Sequence, residues 1–244
     1  MDHILQRIVG ASRISLLDGF SGFNQILVHP NDQEKTAFTT PWGTFKYVKM
    51  PFRLKNAGET FQRAMDIAFA KEIHDFLVMY LDDLTMFSRS DQQHLDHLRQ
   101  VLLKCRKYGI SLNPKKSLFG LEEGKVLGHI ISKDGIRVDP ARIEAILQIP
   151  HPKNVKELQA FLGRINFLRR FISNLAKLIR LLNNMLKKDS KVNWTVEAKQ
   201  AFEEIKMALT RTPVLTSPKF DKDFIIFSCA SEHTIAAVLL QKDD

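Results

Sequence analysis

Apolar residues recur along this chain with two rhythms, and each rhythm predicts its own kind of element. The stretch RISLLDGFSGFNQILVHP (13–30) reads as a strand, a turn containing Gly and Ser, and a second short strand. KTAFTTPWGTFKYVKM (35–50) reads as a hairpin turning near Pro41 to Gly43. In NAGETFQRAMDIAFAKEI (56–73), Ala57, Phe61, Ala64, Met65, Ala68 and Phe69 recur at three and four, which predicts a helix capped by Asn56. DFLVMYLDDLTMFS (75–88) reads as two strands folded back on each other with LDD at the bend. DQQHLDHLRQVLLKCRKYGI (91–110) predicts an amphipathic helix with Leu95, Leu98, Leu102 and Cys105 on its inner face and Gly109 as its stop. SLNPKKSLFG, KVLGHIIS and IRVDP follow as short strands. Residues 139–149, 154–186 and 194–212 predict helices, the first opened by Asp139 and Pro140 and the last capped by Thr195. Residues 222–241 begin as a strand and continue as a second one. The pattern is α+β with antiparallel sheet, and its seam falls near 187–194.

One feature conflicts with the apolar pattern. Asp82 and Asp83 lie inside VMYLDDLTMF, and Asp18 ends the run ISLLD. Strand interiors disfavour Asp, and burying carboxylates costs several kcal/mol unless a partner or a metal compensates. A hairpin bend relieves part of the conflict, since Asp-Asp is an ordinary turn dipeptide. If the strand ending at Asp18 lies beside the 75–88 hairpin, the carboxylates meet at a sheet edge and repel unless cations sit between them. Aspartate oxygens suit Mg²⁺, and two such ions about 3.5–4 Å apart serve phosphoryl transfer.

Charge sharpens the picture. The chain is 244 residues long with a net charge of +9, but residues 99–191 alone carry 20 Lys/Arg against 7 Asp/Glu. So basic a segment fits either a polyanionic partner such as nucleic acid or a solvated cationic surface. Two cysteines, Cys105 and Cys229, cannot build a disulfide framework or a zinc site, which fits an intracellular, reduced setting. No signal-like start or long apolar run is visible, which argues against secretion and membrane spanning. His29, His74, His94, His97 and His129 show no ligand spacing and read as surface or packing residues.

YLDD (80–83) resembles the Tyr-x-Asp-Asp box of reverse transcriptases. LLDGFSGFNQILVHPNDQEKTAFTTPWGTFKYVKMPF resembles the preceding palm segment of gypsy-type LTR retrotransposon Pol polyproteins. MPFRLKNAGETFQRAMD is similar to their next block, and NVKELQAFLGRINFLRRFI to their thumb-to-connection region. The resemblance implies a right-hand polymerase palm and thumb, divided as 1–135 (palm with partial fingers), 136–190 (thumb and connection) and 191–244 (a truncated ribonuclease H-like start). It implies nucleotidyl transfer from deoxynucleoside triphosphates to a primer 3′-hydroxyl on an RNA or DNA template. Asp18, Asp82 and Asp83 would be the catalytic, metal-binding triad, Asp18 and Asp82 holding two Mg²⁺ ions and Asp83 supporting them more weakly, with a backbone oxygen near Gly19 as a further ligand. Phe23 would be the steric gate against ribose, and Phe52 would lie near the incoming nucleotide. Lys115 or Lys116 would approach the triphosphate, with Lys116 favoured. Gly128, in the primer-grip-like VLGHII, and Arg164, Arg169 and Arg170 would contact template and primer. The resemblance also implies the rest of a Pol polyprotein as partner, no membrane, and an intracellular site in a cytoplasmic particle or the nucleus.

Three departures qualify it. Arg53 stands where the family carries glycine. Only about seventeen residues precede Asp18, so the fingers are expected to be largely missing. FIIFSCAS carries Cys229 where the family's ribonuclease H strand has a metal-binding Asp, so ribonuclease H activity is not expected. Two readings stay open: a working polymerase domain, or an inert relative that keeps the fold and binds nucleic acid.

Overall fold

The structure is a computed structural model and describes residues 2–80, 83–186, 194–216, 218, 221–230 and 235–241. Helix α1 (Asp2–Ile8) leads into β1 (Arg13–Asp18). A 3-10 turn at Gly22–Gln25, the short helix α2 (Pro30–Gln33) and the hairpin of β2 (Phe38–Thr40) and β3 (Gly43–Phe45) come before helix α3 (Ala57–Ala68). Strands β4 (Leu77–Tyr80) and β5 (Asp83–Ser88) follow, then helix α4 (Asp91–Tyr108). Next come β6 (Leu118–Leu121), β7 (Glu123–Val126), β8 (His129–Ser132) and β9 (Gly135–Val138). Helices α5 (Pro140–Leu147), α6 (Val155–Phe167), α7 (Leu175–Asn183) and α8 (Val196–Leu209) precede the hairpin of β10 (Ile225–Ala230) and β11 (Ile235–Leu240).

Two antiparallel sheets position the site. The larger has the order β4-β5-β1-β6, and the smaller is β7-β8-β9. The central strands carry apolar residues on both faces, and their alternation sorts them between two cores. Leu17, Leu77, Met79, Leu84 and Met86 join Phe61, Met65 and Phe69 from the α3 region and Val101 and Cys105 of α4. Ile14, Val78 and Phe87 turn the other way, toward Leu5 and Ile8 of α1 and Val126 and Ile131 of the smaller sheet. That second core runs on through α6, α7 and α8.

The helix ends follow from local chemistry. Ser90 Oγ accepts from the backbone N–H of Gln93, and Gly109 closes α4 at φ 69°, a left-handed conformation that glycine adopts without penalty. Thr195 Oγ1 caps α8 through the Ala198 N–H, as expected. Asn56 occupies the predicted cap of α3, but its side chain makes no capping bond.

Three expectations are corrected. The second strand after Asp18 is only a bridge between Leu27 and Lys49, because Pro30 has no N–H to donate and His29 instead caps α2. Residues 154–186 form two helices rather than one. Asn174 adopts φ 54° at the break, yet the apolar period continues through Leu168, Phe171, Ile172 and Leu175, all buried, so periodicity alone does not see the interruption. Of the predicted inner face of α4, Cys105 is buried and Leu98 packs against the core, whereas Leu95 and Leu102 are exposed and His94 and Val101 take the buried positions. The proposed seam lies almost wholly outside the described residues. No helix among the described residues is long and apolar enough to cross a membrane.

Candidate active site

The site is built where the two central strands end. Asp18 closes β1, Asp83 opens β5, and the two are direct cross-strand partners in the register that also pairs Leu16 with Thr85 and Ile14 with Phe87. Opposed residues in an antiparallel ladder lie about 4.5–5.5 Å apart at Cα. Since side chains two apart share a face, Asp18 and Asp83 look toward the smaller sheet, the side of Ile14 and Phe87.

A cleft of about 930 Å³ opens there, lined by Asp18, Tyr80, Asp83, Asn113 and Lys116 and by the turn at Leu127 and Gly128, with Phe52 also on its wall. A narrower cavity of about 190 Å³ continues from it beneath β7, between Leu16, Val78 and Val126. The loop carrying Lys116 is tied to the strand end. Asn113 donates its N–H to the Asp18 carbonyl at 2.8 Å, and the Asp18 N–H donates to Ser117 Oγ at 3.2 Å. Lys116 Nζ stands 3.7 Å from Asp18 Oδ2 with its side chain well exposed. It partly balances one carboxylate while remaining able to meet an anion.

The Asp83 carboxyl is held above its ordinary range, first by burial and then by the charge of Asp18. Two opposed acids short of cation are the donor set that a hard divalent ion fits, through oxygens that both aspartates supply. Among the described residues, no group of three or more His, Cys, Asp or Glu comes together. Asp82, the sequence's third candidate, lies outside the described residues.

The aromatic candidates divide. Phe52 is exposed on the cleft wall. Phe23 packs edge-on against it at 5.8 Å and against Phe61 at 5.6 Å, and so supports the wall from behind. Next in sequence, Arg53 adopts φ 72°, where a side chain is strained and glycine is not. The glycine-shaped backbone that the sequence comparison implied is therefore present, occupied by an arginine.

Gly128 sits in the two-residue turn joining β7 to β8, with Leu127 at φ 51° and Gly128 at φ 79°. These are values for a tight hairpin turn, and they bring the turn to the cleft. Arg164, Arg169 and Arg170 are exposed on α6 and the turn after it and are not among the residues that line the cleft. Sequence reasoning passed over Lys125, which lines both spaces and pairs with Asp139 at 2.5 Å. Its only signal was its position three residues before Gly128.

The reverse transcriptase (RNA-dependent DNA polymerase) family matches residues 2–131, more than half of the chain. The chain belongs to that family. An RNase H-like domain found in reverse transcriptases matches residues 194–244. Similar proteins include the retrovirus-related Pol polyprotein from transposon 297 of Drosophila melanogaster, 36% identical over 99% of this chain and 23% of the relative. The transposon Tf2-3 polyprotein of Schizosaccharomyces pombe is 35% identical over 100% of this chain and 18% of its own length. The chain thus spans under a quarter of either relative. Among solved structures, the foamy viral protease-reverse transcriptase dRH in complex with double-stranded DNA superposes with a TM-score of 0.87 at 24% identity, over 98% of this chain and 42% of that one. The same viral enzyme in complex with RNA/DNA hybrid gives 0.82, over 98% of this chain and 32% of that one. The α+β architecture is that of a reverse transcriptase palm and thumb.

Proposed function

We propose that this reverse transcriptase domain transfers deoxynucleotides from their triphosphates to a primer 3′-hydroxyl on an RNA or DNA template. The observation that carries this reading is the opposed pair Asp18–Asp83 at the floor of a cleft with Lys116 beside it. Asp18 and Asp83, with Asp82 between the strands in sequence, would hold two Mg²⁺ ions. A bound pair of divalent ions would supply charge stabilisation at the attacking and leaving oxygens. The protein's own groups bind and orient. Lys116 meets the triphosphate, Phe52 flanks the nucleotide, and Phe23, packed behind Phe52, backs the aromatic wall that leaves no room for a 2′-hydroxyl. The Leu127–Gly128 turn holds the primer end, while Arg164, Arg169 and Arg170 take backbone phosphates without regard to sequence. Two foamy viral relatives are named as complexes with double-stranded DNA and with RNA/DNA hybrid, which supports a primer–template duplex as partner. The rest of a Pol polyprotein and an intracellular particle or nuclear setting belong to the same reading. With Cys229 in the strand where the family has an aspartate, no ribonuclease H activity is assigned to residues 194–244.

Arg53 in its strained conformation favours a second reading, an inert domain that binds nucleic acid without synthesis. Primer extension on a homopolymer template separates the two. Mg²⁺-dependent extension that disappears in Asp82→Asn supports the enzyme. Duplex binding without extension, in both the wild type and Arg53→Gly, supports the inert domain.

A further inference from the structure

Arg142, in the first turn of α5, is set apart from the other basic residues by what it touches. Its guanidinium lies over the Phe167 ring, 4.0 Å from the centroid. Phe167 in turn stacks on His129 at 4.8 Å and 7°, and His129 stacks on Phe171 at 5.7 Å. His129 and Phe171 are buried, so the ring beneath the guanidinium is anchored in the core. On its other flank the guanidinium abuts the cleft turn. A Cβ built on Gly128 would meet Arg142 Nη1 at 2.9 Å. Gly128 itself lines the cleft with Asp18 and Asp83.

The hydrogen-bonding capacity of this arginine is unspent among the described residues. Asp139, whose carboxylate feels the Arg142 charge, is already engaged: its Oδ2 pairs with Lys125 at 2.5 Å and its Oδ1 accepts the Ala141 N–H at 3.1 Å. No hydrogen bond or ion pair reaches the Arg142 guanidinium among the described residues. Arg13, by contrast, is closed by Asp91 and Glu122, and Arg137 by Glu123. A flat cation stacked on an anchored ring has lost much of its rotamer freedom before binding, and its donors form a fork suited to phosphate. Asp139 is near enough to feel the Arg142 charge as well as that of Lys125, but it bonds directly only to Lys125.

We propose that Arg142 binds a backbone phosphate of the primer strand beside the Leu127–Gly128 turn, and that Phe167 holds it in place for that contact. The inference rests on the reading of the cleft as a primer–template site, and it adds a residue and a support to it. Direct contact with phosphate would fix where the primer end lies relative to Asp18 and Asp83. Sequence signals for it were absent, because α5 and α6 meet only in the fold.

The test is equilibrium binding of a primer–template duplex, followed by fluorescence anisotropy over a range of salt concentrations. Single neutral methylphosphonates are placed in turn at each phosphate near the primer 3′ end. Arg142→Gln is expected to weaken binding about tenfold and to lower the salt slope by about one unit, the share of one phosphate contact. One methylphosphonate position should weaken the wild type and leave Arg142→Gln unchanged. Phe167→Leu, which removes the stacking surface but keeps the charge, should reproduce part of the loss and retain the salt slope. A structural role alone would move the melting temperature without this coupling to a single phosphate. Tight binding by Arg142→Gln, or a methylphosphonate profile identical to that of the wild type, overturns the proposal and leaves the polymerase reading standing. Failure of the wild type to bind any duplex overturns both. Binding without nucleotide incorporation would count against the polymerase reading alone.

Discussion

Asp18 and Asp83 are opposed residues on adjacent antiparallel strands, and the charge of Asp18 adds to the burial that raises the Asp83 carboxyl. Like charges placed directly across a ladder destabilise it, by about 0.5 kcal/mol where solvent still reaches them. The strands tolerate the pair because Ile14, Leu17, Leu84, Met86 and Phe87 are buried from them on two sides.

The first prediction concerns this pair without metal. The Asp83 carboxyl is raised above its usual value, so the proton is held more tightly in the folded chain than in the unfolded one. The contribution of this group to stability is therefore fully present below the unfolded value of 3.8 and is lost as pH rises through the folded value. At pH 7, Asp83→Asn should raise the melting temperature in EDTA by about 1–2 °C. Millimolar Mg²⁺ should raise the melting temperature of the wild type and leave the variant unmoved. Thermal denaturation with and without Mg²⁺ measures both. A variant that melts lower than the wild type in EDTA would contradict the repulsion.

Arg53 provides a second test. A non-glycine residue in the left-handed region costs about 1–2 kcal/mol, and part of that gain is returned by the greater freedom of glycine when unfolded. Arg53→Gly should stabilise the chain by about 0.5–1 kcal/mol in urea denaturation. It should also increase primer extension, because the side chain next to Phe52 at the cleft wall is removed. Stabilisation without a gain in extension would mean that Arg53 strains the turn but does not obstruct the site.

Helix α4 supplies the third. Its leucines read as an inner stripe, yet Leu95 is 62% exposed and Leu102 45%, while Val101 is fully buried. Leu95→Gln and Leu102→Gln should each shift stability by no more than about 0.5 kcal/mol, whereas Val101→Ala should cost about 2 kcal/mol. Chemical denaturation of the three variants ranks them, and the reverse order would reinstate the leucine face.

That error shows which parts of the molecule its sequence reveals. The apolar runs located β1, β4 and β5, because packing on both faces leaves a dense apolar signal. The acids at the strand ends stood out because they broke that signal. The inner face of α4 was hidden because it is set by His94, a residue that no hydrophobic count places inside. Its position depends on Ser15 and Ser88, which lie far from each other in sequence and meet it only when β1 and β5 pair. Arg142 escaped notice for the same reason, since Phe167 and Gly128 reach it from separate elements. The place of Gly128 at the cleft was suggested only by family resemblance, whereas its left-handed turn is plain in the backbone.

The buried histidine leads to the last prediction, a loss of stability in mild acid. His94 Nε2 lies 2.8 Å from Ser15 Oγ and its Nδ1 3.1 Å from Ser88 Oγ. Ser15 Oγ also accepts the Gly120 N–H at 3.0 Å, and Ser88 Oγ lies 2.8 Å from His97 Nδ1. A neutral ring completes this chain, with one nitrogen accepting and the other donating. A protonated ring would present two donors, and the Ser15 hydroxyl hydrogen would then need another acceptor. Burial lowers the His94 value first, and the nearby charges of His97 and Arg13 lower it further against the opposing pull of Asp91. A depressed histidine binds its proton less well when folded, so its contribution is complete above the unfolded value of 6.5 and is lost as pH falls below it. His129, lowered by burial and by Arg142, adds a loss of the same sign. Urea denaturation at pH 7.5 and 5.5 should therefore show a weaker fold at the lower pH. His94→Gln should flatten part of that difference, since a neutral amide has no proton to gain. Carrying both measurements in the Asp83→Asn background removes the carboxyl whose effect runs the other way. An undiminished pH dependence in His94→Gln would refute the assignment to this ring.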